Sequence, residues 1–325
     1  MPRTVVLTDH PWPDVEIERS ILEADGYTLV AGPEQTPSAE FVEALVAEHD
    51  PEAIMTCWAR VSATAIRHPQ RLAIVQRMGV GLDNIDVDAA TARGAWVANV
   101  PDYCVEEVSD HAIALLMDFW RGVTKFDRAV KRGEWNPASA RLQRIADKTI
   151  GIIGYGRIGA LTAKKLRGFG CRVLVNSRGL LRSHSPGFEI APGIAVADLR
   201  TMQAQADALV INAPLNESTH HLIDDAFLRT LVKRPLIVNV SRGAIVDTEA
   251  LVRALDAGLV SGAGLDVVEG EPAPSTAITR RDDVIVTPHI AFSSAASLEE
   301  LRRGSAEEVV RVLSGSKPLN ACNSV

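Results

Sequence analysis

Short runs of β-branched and aliphatic residues alternate with amphipathic stretches along most of this chain. In its first third, Thr4–Leu7, 27–30, Ala53–Thr56, 72–76 and 95–98 have the length and bounding turn residues of strands. Between them, 14–25, closed by Gly26, and 38–49 have the spacing of helices. The alternation resumes with strands predicted over Thr149–Ile153, 172–175, 208–212, Leu236–Asn239, Gly262–Leu265 and Val284–Val286. Strands regularly separated by helices form parallel sheets covered on both faces. The pattern therefore predicts an α/β chain of two doubly wound units in series.

Two helical stretches stand apart. Residues 105–132 read as one long helix whose first half, Ala112-Ile113-Ala114-Leu115-Leu116-Met117, is apolar on every face. Such a helix must be buried all round, which predicts a homodimer built on it. A charged amphipathic helix over 297–313 follows the last strand, and the shorter first unit is its expected docking place.

Composition narrows the partners. At 46% hydrophobic and 23% charged, 325 residues can fill two cores. A net charge of −7 does not favour nucleic acid or an anionic membrane, so an anionic substrate needs a local cationic site. Cys57, Cys104, Cys171 and Cys322 are scattered, as reduced thiols of a cytoplasmic protein would be. Asp9, His10 and Asp14 interrupt the first apolar run, so no secretory signal is expected, and no run is long enough for a membrane span. His111, His220 and His221 lack partners at metal-ligand spacing, and no metal site is expected.

The sharpest local signal is Gly154-Tyr155-Gly156-Arg157-Ile158-Gly159, directly after a predicted strand and opening a predicted helix over 160–169. The first glycine allows the tight turn. The second admits a pyrophosphate to the backbone, and the third lets the helix pack on the strand. In this context the pattern predicts a dinucleotide site.

Several further motifs follow in order: Gly79-Val80-Gly81-Leu82-Asp83-Asn84-Ile85-Asp86, Asn99-Val100-Pro101 with Glu106–His111, Asn239–Asp247, Gly264–Pro272 and Thr287-Pro288-His289. With the glycine loop, they make nearly the whole chain resemble the D-2-hydroxyacid dehydrogenase family. Pro214-Leu215-Asn216-Glu217, His220-His221-Leu222-Ile223 and the 320–323 ending look most like its C-terminal-binding-protein branch, which includes corepressors as well as enzymes.

The resemblance implies a Rossmann-type cofactor domain, 102–290, and a flavodoxin-like, discontinuous substrate domain, 1–101 with 291–325, with a cleft between them. It implies hydride transfer between NAD(P)(H) and a small 2-oxo or 2-hydroxy acid, with Arg242, Glu271 and His289 as the catalytic trio. The chemistry suits them: a guanidinium holds the substrate carboxylate, and a histidine backed by a carboxylate exchanges the proton at the reacting oxygen. It also implies substrate contacts from Val80, Gly81, Arg242, Trp58 and Phe292, with Arg60 beside Trp58. Expected cofactor contacts are Gly154, Tyr155, Gly156, Arg157, Ile158, Gly159, Ser177, Arg178, Ala213, Pro214, Thr219, Val240, Ser241, Arg242, Asp266 and His289.

One position departs from the usual pattern. NAD-specific folds end their second strand in an acidic residue that binds the ribose hydroxyls. Here that strand ends in Asn176-Ser177-Arg178, with Arg182 nearby. A small hydroxyl and a guanidinium suit a 2′-phosphate, so NADP(H) is the expected preference, with NAD(H) as the other possibility. Two rival readings remain at this point. One is a corepressor-like, dinucleotide-sensing binding protein. The other is a phosphite-type dehydrogenase, which Asp86-Val87-Asp88-Ala89 and Thr91-Ala92-Arg93-Gly94 also resemble.

Overall fold

A computed structural model describes residues 3–325. The chain divides into two compact units, Met1–Cys104 with Ser294–Val325, and Val105–Ser293. The first contains β1 (Thr4–Leu7), α1 (Glu16–Ala24), β2 (Thr28–Ala31), α2 (Ala39–His49), β3 (Ala53–Thr56), α3 (Ala63–Arg67), β4 (Ile74–Arg77), α4 (Val87–Arg93) and β5 (Trp96–Ala98). Its five strands are all parallel, in the order β2-β1-β3-β4-β5. That is the flavodoxin-like order, with its switch point between β1 and β3. Strand residues Val6, Ile54, Val75 and Val97 are fully buried in its core.

The second unit opens with α5 (Val105–Arg121) and α6 (Val123–Lys131). It continues through β6 (Thr149–Ile153), α7 (Arg157–Gly168), β7 (Arg172–Asn176), α8 (Arg178–Ser183), β8 (Glu189–Ala191), β9 (Ile194–Val196) and α9 (Leu199–Gln205). Then come β10 (Ala208–Ile211), α10 (Asp225–Arg229), β11 (Leu236–Asn239), α11 (Thr248–Asp256), β12 (Gly262–Leu265), α12 (Thr276–Thr279) and β13 (Val284–Val286). The sheet runs β13-β12-β11-β10-β6-β7-β9-β8, parallel except for β8. The strands β9-β7-β6-β10-β11-β12 reproduce the Rossmann 3-2-1-4-5-6 order, with the switch point between β6 and β10. The pair β8 and β9 was absent from the pattern reading: each has three residues, and they follow a polar stretch containing Pro186 and Gly187.

The long helix expected over 105–132 is two helices. Gly122 takes the left-handed conformation at φ 65°, where its added Cβ would lie 2.9 Å from the Phe126 ring. Asp118 then caps the next helix, accepting from the Thr124 N–H at 2.7 Å. Nor is α5 buried all round. Glu106, Asp110, Ala114 and Arg121 form an exposed stripe, while Ala112, Ile113, Leu115 and Leu116 are buried. The cover comes from this chain's own α7, β11 and β12, and the small residues of β12 admit the helix. A Cβ on Gly262 would meet the Phe119 ring at 2.1 Å, and one on Gly264 would meet Leu115 at 3.0 Å. The second of these helices, α6, buries no residue.

After β13 the chain enters α13 (Ala295–Leu313), started by a capping box at Ser294 and Ser297. It packs on α1, where Arg302 donates to both oxygens of the wholly buried Glu18 at 2.8 Å and to Asp14 Oδ1 at 3.0 Å. Breaking such a buried pair from one side costs about 3–5 kcal/mol, because the other charge is left without its partner. Among the described residues, no helix is long and apolar enough to cross a membrane.

Candidate active site

The glycine loop leaves β6 at the switch point of the second sheet. Gly154 is at φ 100°, and a Cβ there would lie 2.5 Å from the Ala213 nitrogen; one on Gly159 would lie 2.1 Å from the Gly154 carbonyl oxygen. A Cβ on Gly156 would meet nothing within 4 Å, and this residue caps α7. Two glycines are therefore required by the chain itself, and the middle one leaves open space at a helix N-terminus. The residues fit a dinucleotide pyrophosphate. Asn212, whose backbone abuts Gly154, also has a buried Nδ2 with no hydrogen-bond partner. Tyr155 and Ile158 are half-buried around the loop, and Arg157 is exposed.

At the end of β7, Ser177 caps α8 without a side-chain capping bond, and Arg178 and Arg182 are exposed. No carboxylate follows the strand before α8 begins.

Three loops at the carboxyl ends of β11, β12 and β13 carry the trio. The Arg242 turn is shaped by Asn239, which is 1% exposed: its Nδ2 donates to the Arg242 carbonyl at 2.8 Å and its Oδ1 accepts from the Ser241 N–H at 3.1 Å. Ser241 Oγ donates to the Ala213 carbonyl, tying this turn to the loop after β10, where Thr219 Oγ1 donates to the Pro214 carbonyl at 2.6 Å. Val240 is buried beneath the turn. Gly243 lies so close to the neighbouring loop that a Cβ would sit 2.4 Å from the Val268 carbonyl carbon.

His289 Nδ1 lies 2.9 Å from Glu271 Oε1, and His289 holds a positive φ of 53°. That conformation is uncommon outside glycine and is fixed here by a buried carboxylate. Asp266, 2% exposed, accepts from the N–H groups of Ile290 and Ala291 at 2.9 Å and from Thr287 Oγ1 at 2.6 Å. Its carbonyl accepts the His289 N–H at 2.8 Å. The structure thus gives Asp266 a bracing role on the histidine loop, with His111 Nε2 2.9 Å from Thr287 Oγ1 behind it. The Phe292 and His289 rings meet edge to face with centroids 6.4 Å apart.

In the first unit, Val80 and Gly81 form the loop after β4. Their carbonyls are engaged, Val80 by Asn99 Nδ2 at 2.7 Å and Gly81 by Arg77 Nε at 3.0 Å, whereas their N–H groups have no acceptor among the described residues. Arg77 is buried and stacks 5.6 Å from the Trp58 ring. The Trp58 loop hangs on Asp9, whose carboxylate accepts from the N–H groups of Cys57, Trp58 and Ala59 at 3.1, 2.8 and 3.1 Å. Arg60 is exposed. Neither Arg77 nor Asp9 was given a role at the site from sequence, since a polar residue near a strand end gives no sign that it will be buried.

A Rossmann-ordered sheet with this loop at its switch point defines a dinucleotide-binding protein. The family model for the NAD binding domain of D-isomer specific 2-hydroxyacid dehydrogenases matches residues 113–291. The chain is 34% identical over 316 residues to a glyoxylate reductase from Pyrococcus horikoshii, covering 95% of this chain and 93% of that one. A solved glyoxylate reductase from Paecilomyes thermophila superposes with a TM-score of 0.87 at 26% identity, over 99% of both chains. An NADPH-dependent glyoxylate/hydroxypyruvate reductase from Sinorhizobium meliloti, solved with NADP and malonate, gives 0.82 at 27%, over 99% of this chain and 97% of that one. The chain belongs to the D-isomer specific 2-hydroxyacid dehydrogenase family. It is an NAD(P)-dependent oxidoreductase acting on a CH–OH group.

Proposed function

We propose that this enzyme reduces a small 2-oxo acid, with glyoxylate the first substrate to test and NADP(H) the preferred cofactor. The carrying observation is the 2.9 Å His289–Glu271 pair on loops beside the Arg242 turn. With Nδ1 held by the carboxylate, Nε2 delivers the proton to the substrate oxygen in reduction and takes it back in oxidation. Arg242 binds the substrate carboxylate and polarises the adjoining carbonyl, and in the first unit the Val80 and Gly81 N–H groups suit an anion of that kind. Phe292, edge to face with His289, lines the substrate on this unit. The nicotinamide group, when bound, supplies or accepts the hydride. The glycine loop would hold its pyrophosphate, and Ala213, Pro214, Thr219, Val240, Ser241, Arg242, Asp266 and His289 would support the rest of the cofactor.

Preference for NADP(H) rests on the missing carboxylate after β7. Arg178 and Arg182 are exposed and have no partner among the described residues, which leaves both able to pair with a 2′-phosphate. Catalytic efficiency with NADPH should exceed that with NADH, and Arg178→Ala should lower the ratio about tenfold or more, as loss of a charge-assisted pair requires. A wild type favouring NADH, or an unchanged ratio in the variant, refutes the preference. Phosphite oxidation is the control for the inorganic-anion reading. The C-terminal-binding-protein likeness rests on motifs alone, and turnover of any 2-oxo acid separates the enzyme from a pure binding protein.

The homodimer is also proposed, on a different basis from the sequence argument. One group of exposed apolar side chains lies just beyond Gly122: Val123 is 63% exposed, Val130 48% and Trp135 83%. A second copy covering this arm accounts for three exposed apolar side chains in thirteen residues.

A further inference from the structure

The loop joining β12 to α12 carries three carboxylates, and beyond Asp266 the other two, Glu269 and Glu271, turn to different histidines. Glu271 meets His289. Glu269 Oε1 lies 2.6 Å from His221 Nε2, and its Oε2 accepts the Thr248 N–H at 2.8 Å. His221 lies in the loop after β10 at φ 48°, and its own N–H donates to the Ala244 carbonyl at 2.8 Å. Two residues on, Ile223 forms a parallel bridge with Val246. Gly243 is also pressed against the Glu269 backbone, where a Cβ would lie 2.6 Å from the Glu269 nitrogen. The segment directly after Arg242, residues 243–248, is therefore held by both members of one ion pair.

We propose that His221 and Glu269 are a positioning pair that sets the Arg242 turn against the Glu271 loop. This rests on the reading above, in which Arg242 binds the substrate carboxylate. The pair acts through Arg242 and is assigned no contact with the reacting atoms. Its charges favour the grip: the hydrogen bond to Glu269 holds the His221 ring above its ordinary range, against the opposing effect of burial. Burial alone would raise the Glu269 carboxyl, but hydrogen bonds from His221 and Thr248 outweigh it and hold the group below its ordinary range. Asp247 and Asp224 add weaker attraction for the His221 charge, and the His220 ring stacks on His221 with centroids 4.1 Å apart.

A purely structural ion pair would alter melting temperature and leave kinetics in proportion. A positioning pair alters substrate binding through one named residue. The test compares Glu269→Gln and His221→Gln, each alone and in an Arg242→Lys background. It reads KM and kcat for glyoxylate, and NADPH and NADH affinity by fluorescence. Each single variant should raise KM about tenfold, within the range for coupled neighbours, with a smaller fall in kcat and cofactor affinity little changed. In the Arg242→Lys background the same substitutions should cost nothing further. Equal losses in both backgrounds, or a shift in melting temperature alone, would overturn the proposal. His221→Gln retains the Glu269–Thr248 bond, so it carries the test if Glu269→Gln does not fold. A wild type that turns over no 2-oxo acid defeats the activity reading and this proposal with it; an active wild type with unchanged variants defeats the pair alone.

Discussion

The ends of β6 and of β11–β13 lie in one sheet and are built in opposite ways. The loop after β6 works by absence: Gly154 and Gly159 let backbone lie against backbone, and Gly156 leaves room at the start of α7. The loops after β11–β13 work by charged side chains held in place by buried polar partners, Asn239 under Arg242 and Asp266 under His289. The difference teaches where each kind of site tolerates change. The glycine loop fails when a methyl group is added, whereas the trio fails when a group is removed.

The largest expected effect is at the trio. His289→Ala should lower turnover by roughly two to four orders of magnitude while cofactor affinity stays near wild type. Near-normal turnover at neutral pH would remove His289 from its role. Glycine substitutions sharpen the contrast within the other loop. Gly159→Ala forces a methyl into the Gly154 carbonyl, at an overpacking cost of about 1–3 kcal/mol, so both melting temperature and cofactor affinity should fall. Gly156→Ala meets no atom of the chain, so cofactor affinity should fall with the melting temperature unchanged. Equal melting losses in both variants would contradict the division of labour among the glycines.

The smallest effect concerns the second histidine. His221 is raised in the fold, so its contribution to stability is fully present below the unfolded value of about 6.5 and is lost as pH rises through the raised value. Glu269 is lowered, so its contribution is present above about 4.5 and is lost as pH falls through the lowered value. The melting difference between wild type and Glu269→Gln should therefore be greatest in the mildly acidic range between these limits and shrink at alkaline pH. A difference independent of pH would deny the pair its charge.

These two regions also differ in how far the sequence discloses them. The glycine loop is contiguous and flanked by a strand and a helix, so local spacing was enough to find it. Arg242, Glu271 and His289 are spread over 48 positions, and only the motif resemblance brought them together. Their supports were harder still. Nothing local distinguishes Asp266 as the acceptor of three donors from the next loop, or Glu269 as the partner of a histidine 48 residues away. The 105–132 reading failed for a physical reason of the same kind. Gly122 could be carried inside a helical pattern, and only the Asp118 cap and the packing of Phe126 show that it breaks one. The cover for α5 was equally hidden, because it comes from α7 and from strands β11 and β12, where Gly262 and Gly264 leave room for the helix.

The central claim is reduction of a 2-oxo acid by a member of the D-isomer specific family, and the stereochemistry of its product tests it most directly. Hydroxypyruvate should be supplied with NADPH and, separately, with NADH, and the glycerate formed should be resolved on a chiral column. The account predicts D-glycerate alone, formed by the wild type and lost in His289→Ala. L-glycerate, or no cofactor-dependent product from hydroxypyruvate or glyoxylate, would contradict it.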